Sequence, residues 1–186
     1  MAGVMKYIAL TIIASAIALT SVFAGSPVVS SKNVVADVAQ DGFFRDSELQ
    51  VDAFYSLLMK KPRHDANHYR VHTGSGGGLG LNYIFGRYFG VGVENALVAN
   101  NRRAPYSLGG YGLLRFPIEQ LRLAPYAIVG GGAALTAKSG SYGYGNVGGG
   151  LEYRFTPNIG TFADWRWMYG KPAKGSNLRA GLRYIF

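Results

Sequence analysis

His64, His68 and His72 fall in one short stretch, with Asp65 beside the first. Imidazoles four residues apart could share a zinc or copper ion if a helix aligned them. Pro62 and the polar setting KKPRHDANHYRVH argue for a loop instead, so no metal site is expected. Ser176 could act as a nucleophile only beside a positioned base. Lys174 stands two residues before it, and no histidine lies beyond His72. The run from Gly143 to Gly148 matches G-x-G-x-x-G. A dinucleotide site needs a helix after that motif, and here a strand-like segment follows. The chain has no cysteine, which excludes disulfide frameworks, thiolate metal sites and thiol nucleophiles. No cofactor and no catalytic residue are expected.

What remains is charge, and its position depends on the elements that carry it. The chain has 19 Lys+Arg against 10 Asp+Glu, a formal +9. Residues 1–24, MAGVMKYIALTIIASAIALTSVFA, place Lys6 before an apolar run and small residues at Val22 and Ala24. That is the pattern of a cleaved export signal. The run from Tyr7 to Leu19 is shorter than the roughly 20 residues of a spanning helix. Residues 25–48 are mostly polar and read as an N-terminal periplasmic segment. No later apolar stretch is long and uninterrupted enough to be a membrane helix.

From Leu49 onward the pattern has period two, broken by short turns. It predicts eight strands, near 49–59, 73–85, 88–98, 106–116, 123–135, 142–155, 159–169 and 177–186. Tight connections (GR, TPN) and FPIEQLR fall at one end. Longer polar ones (KKPRHDANHYRVH, ANNRRAP, TAKSGSY, GKPAKGS) fall at the other. Short turns at one end and longer loops at the other fit an antiparallel up-and-down barrel across a bilayer. In the first, third, sixth, seventh and last strands, one face is apolar and the other holds the charges. Phe85, Phe89, Phe116, Phe155 and Phe186 share the apolar face beside the short turns, as a girdle at one interface would. The fold class expected over 49–186 is therefore an all-β, eight-stranded transmembrane barrel.

On this register Asp52, Glu94, Arg115, Glu152, Arg154, Asp164, Arg166, Arg179 and Arg183 face inward. Eight strands leave an interior that side chains just fill, so these charges must pair. The first and last strands are neighbours in a closed barrel. Asp52 and Arg183 lie at matching heights on them, which predicts a pair with Glu152 nearby. Glu94, Asp164, Arg166 and Arg179 would form a second layer. Gly76, Gly78, Gly80, Gly130, Gly132, Gly148 and Gly150 also face inward, making room for arginines or leaving water-filled space.

The excess positive charge lies in the longer connections: Lys60, Lys61, Arg63, Arg70, Arg102, Arg103, Lys138, Lys171 and Lys174, with Asp65 as the acid among them. Each basic side chain near an anionic surface gains roughly 1 kcal/mol, screened by salt. Lipopolysaccharide phosphates are the expected partner. No nucleic-acid motif accompanies the basic residues.

The segment GLEYRFTPNIGTFADWRWMY and the ending NLRAGLRYIF resemble the small eight-stranded outer-membrane barrels of the opacity and OmpA-barrel type. The resemblance covers about 49–186. It implies the outer membrane of a Gram-negative bacterium. It also implies that Leu182, Tyr184 and Phe186 form the C-terminal signal read by the outer-membrane assembly machinery. That family includes structural barrels, surface proteins, small channels and lipid A deacylases. Ser176-Asn177 resembles part of the deacylase motif, with Lys174 where the histidine would stand. The role expected is structural or surface-exposed, in a monomer, with basic loops near lipopolysaccharide. The alternatives are a narrow porin-like channel and, less favoured, a lipid A-modifying hydrolase. No further domain is expected beyond Phe186.

Overall fold

The computed structural model describes residues 42–60, 63–65, 68–70, 73–99, 106–136, 140–170 and 175–186. The stretch expected to be an export signal, residues 1–24, and most of the expected polar lead lie outside the described residues. The strands are β1 (Glu48–Lys60), β2 (Arg63–Asp65), β3 (His68–Arg70), β4 (Thr73–Phe85), β5 (Phe89–Ala99), β6 (Tyr106–Arg115), β7 (Leu123–Thr136), β8 (Gly140–Thr156), β9 (Ile159–Tyr169) and β10 (Gly175–Ile185). Eight of them close into an antiparallel barrel in the order β1-β10-β9-β8-β7-β6-β5-β4. No helix among the described residues is long and apolar enough to cross a membrane. A closed barrel satisfies its backbone between strands and has no edge, which is why strands can cross a bilayer.

Strands and connections differ from the sequence pattern at a few ends. Of the stretch TAKSGSY, Thr136 ends β7 and Gly140, Ser141 and Tyr142 belong to β8, with Thr136 opposite Gly140. Gly175 and Ser176 belong to β10. The histidine-bearing stretch contains a small hairpin, pairing Arg63 with Arg70, His64 with Tyr69 and Asp65 with His68. A helical alignment of the histidines is thus absent there, while His72 lies outside the described residues. Glu48, at the end of the polar lead, opens β1.

The short-turn end is made by local chemistry. Gly86 and Arg87 both take positive φ, 58° and 69°, which lets β4 turn directly into β5. Between β6 and β7 a single 3₁₀ turn, Glu119–Leu121, ends at Arg122 in the left-handed region. Between β8 and β9 the Thr156 hydroxyl accepts the Ile159 N–H at 3.0 Å. The last strand is pinned at its end. Asn158 exchanges two bonds with Ile185, at 2.8 and 2.9 Å, and Phe186 donates to the Leu49 carbonyl at 2.9 Å.

The faces divide cleanly. The five girdle phenylalanines are exposed, as are Tyr83, Tyr153, Trp165, Trp167 and Tyr169. Phe85 stacks on Phe89, and Tyr184 meets Phe186 edge to face at 4.8 Å. Leu182, Tyr184 and Phe186 all point outward. Inside, Phe54, Ile84, Tyr111, Leu113, Tyr126, Ile128 and Phe162 form an apolar cluster. Rings, rather than arginine stems or open water, take the space left by several inward glycines. A Cβ on Gly78 would lie 2.5 Å from the Phe54 ring and 2.2 Å from the Asn95 carbonyl oxygen. On Gly150 it would lie 2.7 Å from the Tyr126 ring. Gly78→Val therefore forces Phe54 out of its seat and should destabilise the barrel by about 1–3 kcal/mol. Urea unfolding of the refolded protein checks this through the midpoint of the transition.

A candidate functional site in the barrel lumen

Alternation along each strand sends every second side chain into the lumen, where charge and rings are stacked in layers. The lower layer lies toward the short turns. Arg183 grips Asp52 with two parallel bonds of 2.7 Å each and reaches Glu152 at 2.5 Å. Asp52 and Arg183 stand directly opposite each other where β1 meets β10. Arg154 pairs with Glu152, two residues away on β8, and with Glu48 at 2.7 Å. Arg115 reaches Glu48 at 2.8 Å. Three carboxylates thus face three guanidiniums, and Arg115, Arg154 and Glu152 are completely buried.

The upper layer lies toward the longer connections. Arg179 holds Asp164 through Nε at 2.9 Å and Nη2 at 2.6 Å. Its Nη1 donates to Glu94 at 2.6 Å. Arg166 donates to both oxygens of Glu94, at 3.0 and 3.1 Å, and to Asp164 at 3.2 Å. Two acids face two bases.

Aromatic rings lie between the layers. Phe162 has the Arg179 guanidinium at 5.8 Å and that of Arg183 at 4.8 Å from its centroid. Phe54 covers Arg179 at 4.5 Å, and Tyr111 covers Arg166 at 4.7 Å. Such contacts are favourable, more so when dehydrated. The Tyr111 hydroxyl donates to Asn82, which donates to Asp52 at 2.8 Å. Tyr126 donates to Asp164 at 3.2 Å. Tyr111 thus links the layers, reaching Asp52 below through Asn82 and Arg166 above through its ring.

Below the lower layer, Phe44 closes the short-turn end. It is buried, with the Arg115 and Arg154 guanidiniums at 5.1 and 5.0 Å. Above the upper layer is a cavity of about 60 Å³, with Glu94, Arg166 and Arg179 at its floor and Leu58, Val98, Tyr142 and Met168 higher up. Arg166 Nη2 and Asn146 Oδ1 have no protein partner, and a cavity of this size has room for water to serve them.

All nine lumen residues singled out from the sequence lie in these two layers. Glu48, Asn82, Tyr111 and Tyr126 were not among them. Glu48 falls in the stretch read as the polar lead, although it continues the alternation of Gln50 and Asp52 by one step. Tyr111 and Tyr126 carried no charge to draw notice. Of the basic loop residues, Lys61, Arg102, Arg103, Lys138, Lys171 and Lys174 lie outside the described residues. Lys60, Arg63 and Arg70 are described in their backbone alone. Ser176 stands opposite Met59 and Trp167 in the ladder.

No family model and no curated protein sequence matches the chain. Solved structures do. The chain is similar to Neisserial surface protein A, with 20% identity, TM-score 0.55, and coverage of 76% of this chain and 98% of that one. For the N-terminal β-barrel domain of Pseudomonas aeruginosa OprF the figures are 19%, 0.57, 77% and 99%. For the attachment invasion locus protein Ail of Yersinia pestis they are 18%, 0.55, 76% and 100%. At this identity the likeness speaks for the fold. Apolar residues and aromatic girdles outside, with paired charges inside, are what a bilayer requires of it. The chain has the fold of the small eight-stranded outer-membrane β-barrels.

Proposed function

We propose that the protein is a closed, non-enzymatic barrel of the outer membrane with a structural and surface-presenting role. The observation that carries this reading is the filling of the lumen. Two neutral ion layers, the rings between them and Phe44 fill the lumen, and Asp52, Arg115, Glu152, Arg154, Arg183 and Phe44 are buried. The upper cavity ends on the Glu94–Arg166–Arg179 floor. An ion crossing the barrel would have to break several dehydrated charge pairs, each of them costly to leave half-made.

With the lumen filled, function falls to the surface. The basic residues Lys60, at the end of β1, and Lys61, Arg63, Arg70, Arg102, Arg103, Lys138, Lys171 and Lys174 lie at or in the longer connections between barrel strands, which face outward in barrels of this kind. They would meet lipopolysaccharide phosphates there. Leu182, Tyr184 and Phe186, on one outward face at the end of β10, are suited to recognition by the assembly machinery. A single chain closes its own sheet, which favours a monomer.

The refolded protein in a planar bilayer tests the closed lumen. Folded protein should produce no discrete openings. Reproducible openings would favour the narrow channel. Removing Arg102 and Arg103 together (R102A/R103A) should reduce lipopolysaccharide co-purification. Unchanged co-purification would argue against the lipid-phosphate contacts.

A further inference from the structure

The segment just before β1 makes contacts that the barrel itself does not need. Residues 42–47 lie outside the ladder, yet they cross the short-turn end and are held by groups from two of the three short connections. The Phe43 N–H donates to Glu119 Oε2 at 3.0 Å, from the β6–β7 connection. The Phe43 ring lies 4.4 Å below the Arg122 guanidinium of the same connection. Arg87, from the β4–β5 turn, pairs with Glu119 and donates its own N–H to the Asp46 carbonyl at 3.0 Å. Arg45 N–H donates to Glu48 Oε1 at 2.7 Å. Phe44 is thereby driven into the mouth, against Arg115 and Arg154. Arg154 is also tied to the third connection through the Pro157 carbonyl, at 3.1 Å.

We propose that residues 42–47 form a separable stopper of the periplasmic mouth, latched by Glu119 and able to open while the barrel stays folded. The contacts divide in a way that allows this. Opening breaks the contacts that residues 43–47 make with the mouth, among them three hydrogen bonds to the segment's backbone, the Ser47–Tyr83 hydroxyl bond and the arginine contacts of the Phe43 and Phe44 rings, but leaves every ladder bond of the barrel in place. Local opening of such a unit is governed by its own few contacts rather than by the stability of the whole. Glu119 is the latch because it joins two connections to the segment: its carboxylate takes the Phe43 N–H and the Arg87 guanidinium together. Its side chain is about one-third exposed, so it can be changed without touching the lumen. Opening would admit periplasmic water to Glu48, Gln50, Arg115 and Arg154, while the Asp52–Arg183–Glu152 pairing and the upper layer above it remain. The reading rests on the closed barrel but is tested separately from it, since labelling of the lower mouth does not depend on conductance.

The chain contains no cysteine, so a single reporter can be introduced without background. Gln50 is fully buried beside Glu48, to which its side chain donates at 2.7 Å. The full chain carrying Q50C, refolded into bilayers, would be reacted with a membrane-impermeant maleimide. Q50C alone should label slowly. Q50C/E119Q and Q50C/F44A should label at least about tenfold faster, the equivalent of about 1.4 kcal/mol in the opening equilibrium. Both should keep the heat-resistant gel mobility of a folded barrel. Equal rates in all three would overturn the proposal, because the segment would then not govern access. Loss of the folded mobility in E119Q would overturn it as well, because the segment would then be inseparable from the barrel.

Discussion

A narrow lumen that holds charge must hold it in neutral groups, and the rest of this structure follows from that constraint. Eight strands leave too little room for bulk water between inward side chains. A lone buried ion there would cost several kcal/mol, so each guanidinium must find carboxylates within reach. The chain meets this layer by layer. Glu48, Asp52 and Glu152 balance Arg115, Arg154 and Arg183; Glu94 and Asp164 balance Arg166 and Arg179. All the lumen cations in these layers are arginines. The planar fork of arginine can serve two carboxylates at once, as Arg183 does with Asp52 and Glu152, where a lysine would present a point charge.

Such pairs add little stability over a well-packed apolar interior. Their stronger effect is on register. Strands β4, β7 and β8 are rich in glycine, and glycine-rich strands specify their pairing weakly. A slip of one residue would turn every inward charge toward lipid. Asp52 opposite Arg183 and Asp164 opposite Arg179 make one register far better than its neighbours, the first of them at the seam where β1 and β10 close the barrel. The glycines then have a definite task. Gly78 and Gly150 leave room for Phe54 and Tyr126, so that rings fill the space between ion layers.

The fold was legible because its signal is repetitive. Alternation, turn residues and the outward phenylalanines each point to the same barrel, and strand ends shifted by a residue or two. The ion layers were legible in part, because Asp52 and Arg183 sit at equal distances from two ends known to meet. Glu48 was hidden by its neighbours: DGFFRDSE has no alternation until Glu48 itself, so the strand seemed to begin one residue later. Without it the lumen held one base too many. The stopper could not be read at all. Phe44 finds its place through Glu119, Arg87, Arg115 and Arg154, which are distant in sequence and joined only by closure of the sheet. Nor did composition show that Gly78, Gly92 and Gly150 seat the rings of Phe54, Tyr111 and Tyr126.

The most direct measurement is the unfolding free energy of Glu48→Gln, alone and together with Arg115→Met. Neutral pairing in the lower layer predicts that Glu48→Gln, which leaves the layer one positive charge in excess, destabilises the barrel by about 3–5 kcal/mol. Adding Arg115→Met restores neutrality and should recover a substantial part of that loss. A Glu48→Gln barrel as stable as the parent, or a double variant whose losses simply add, would contradict it.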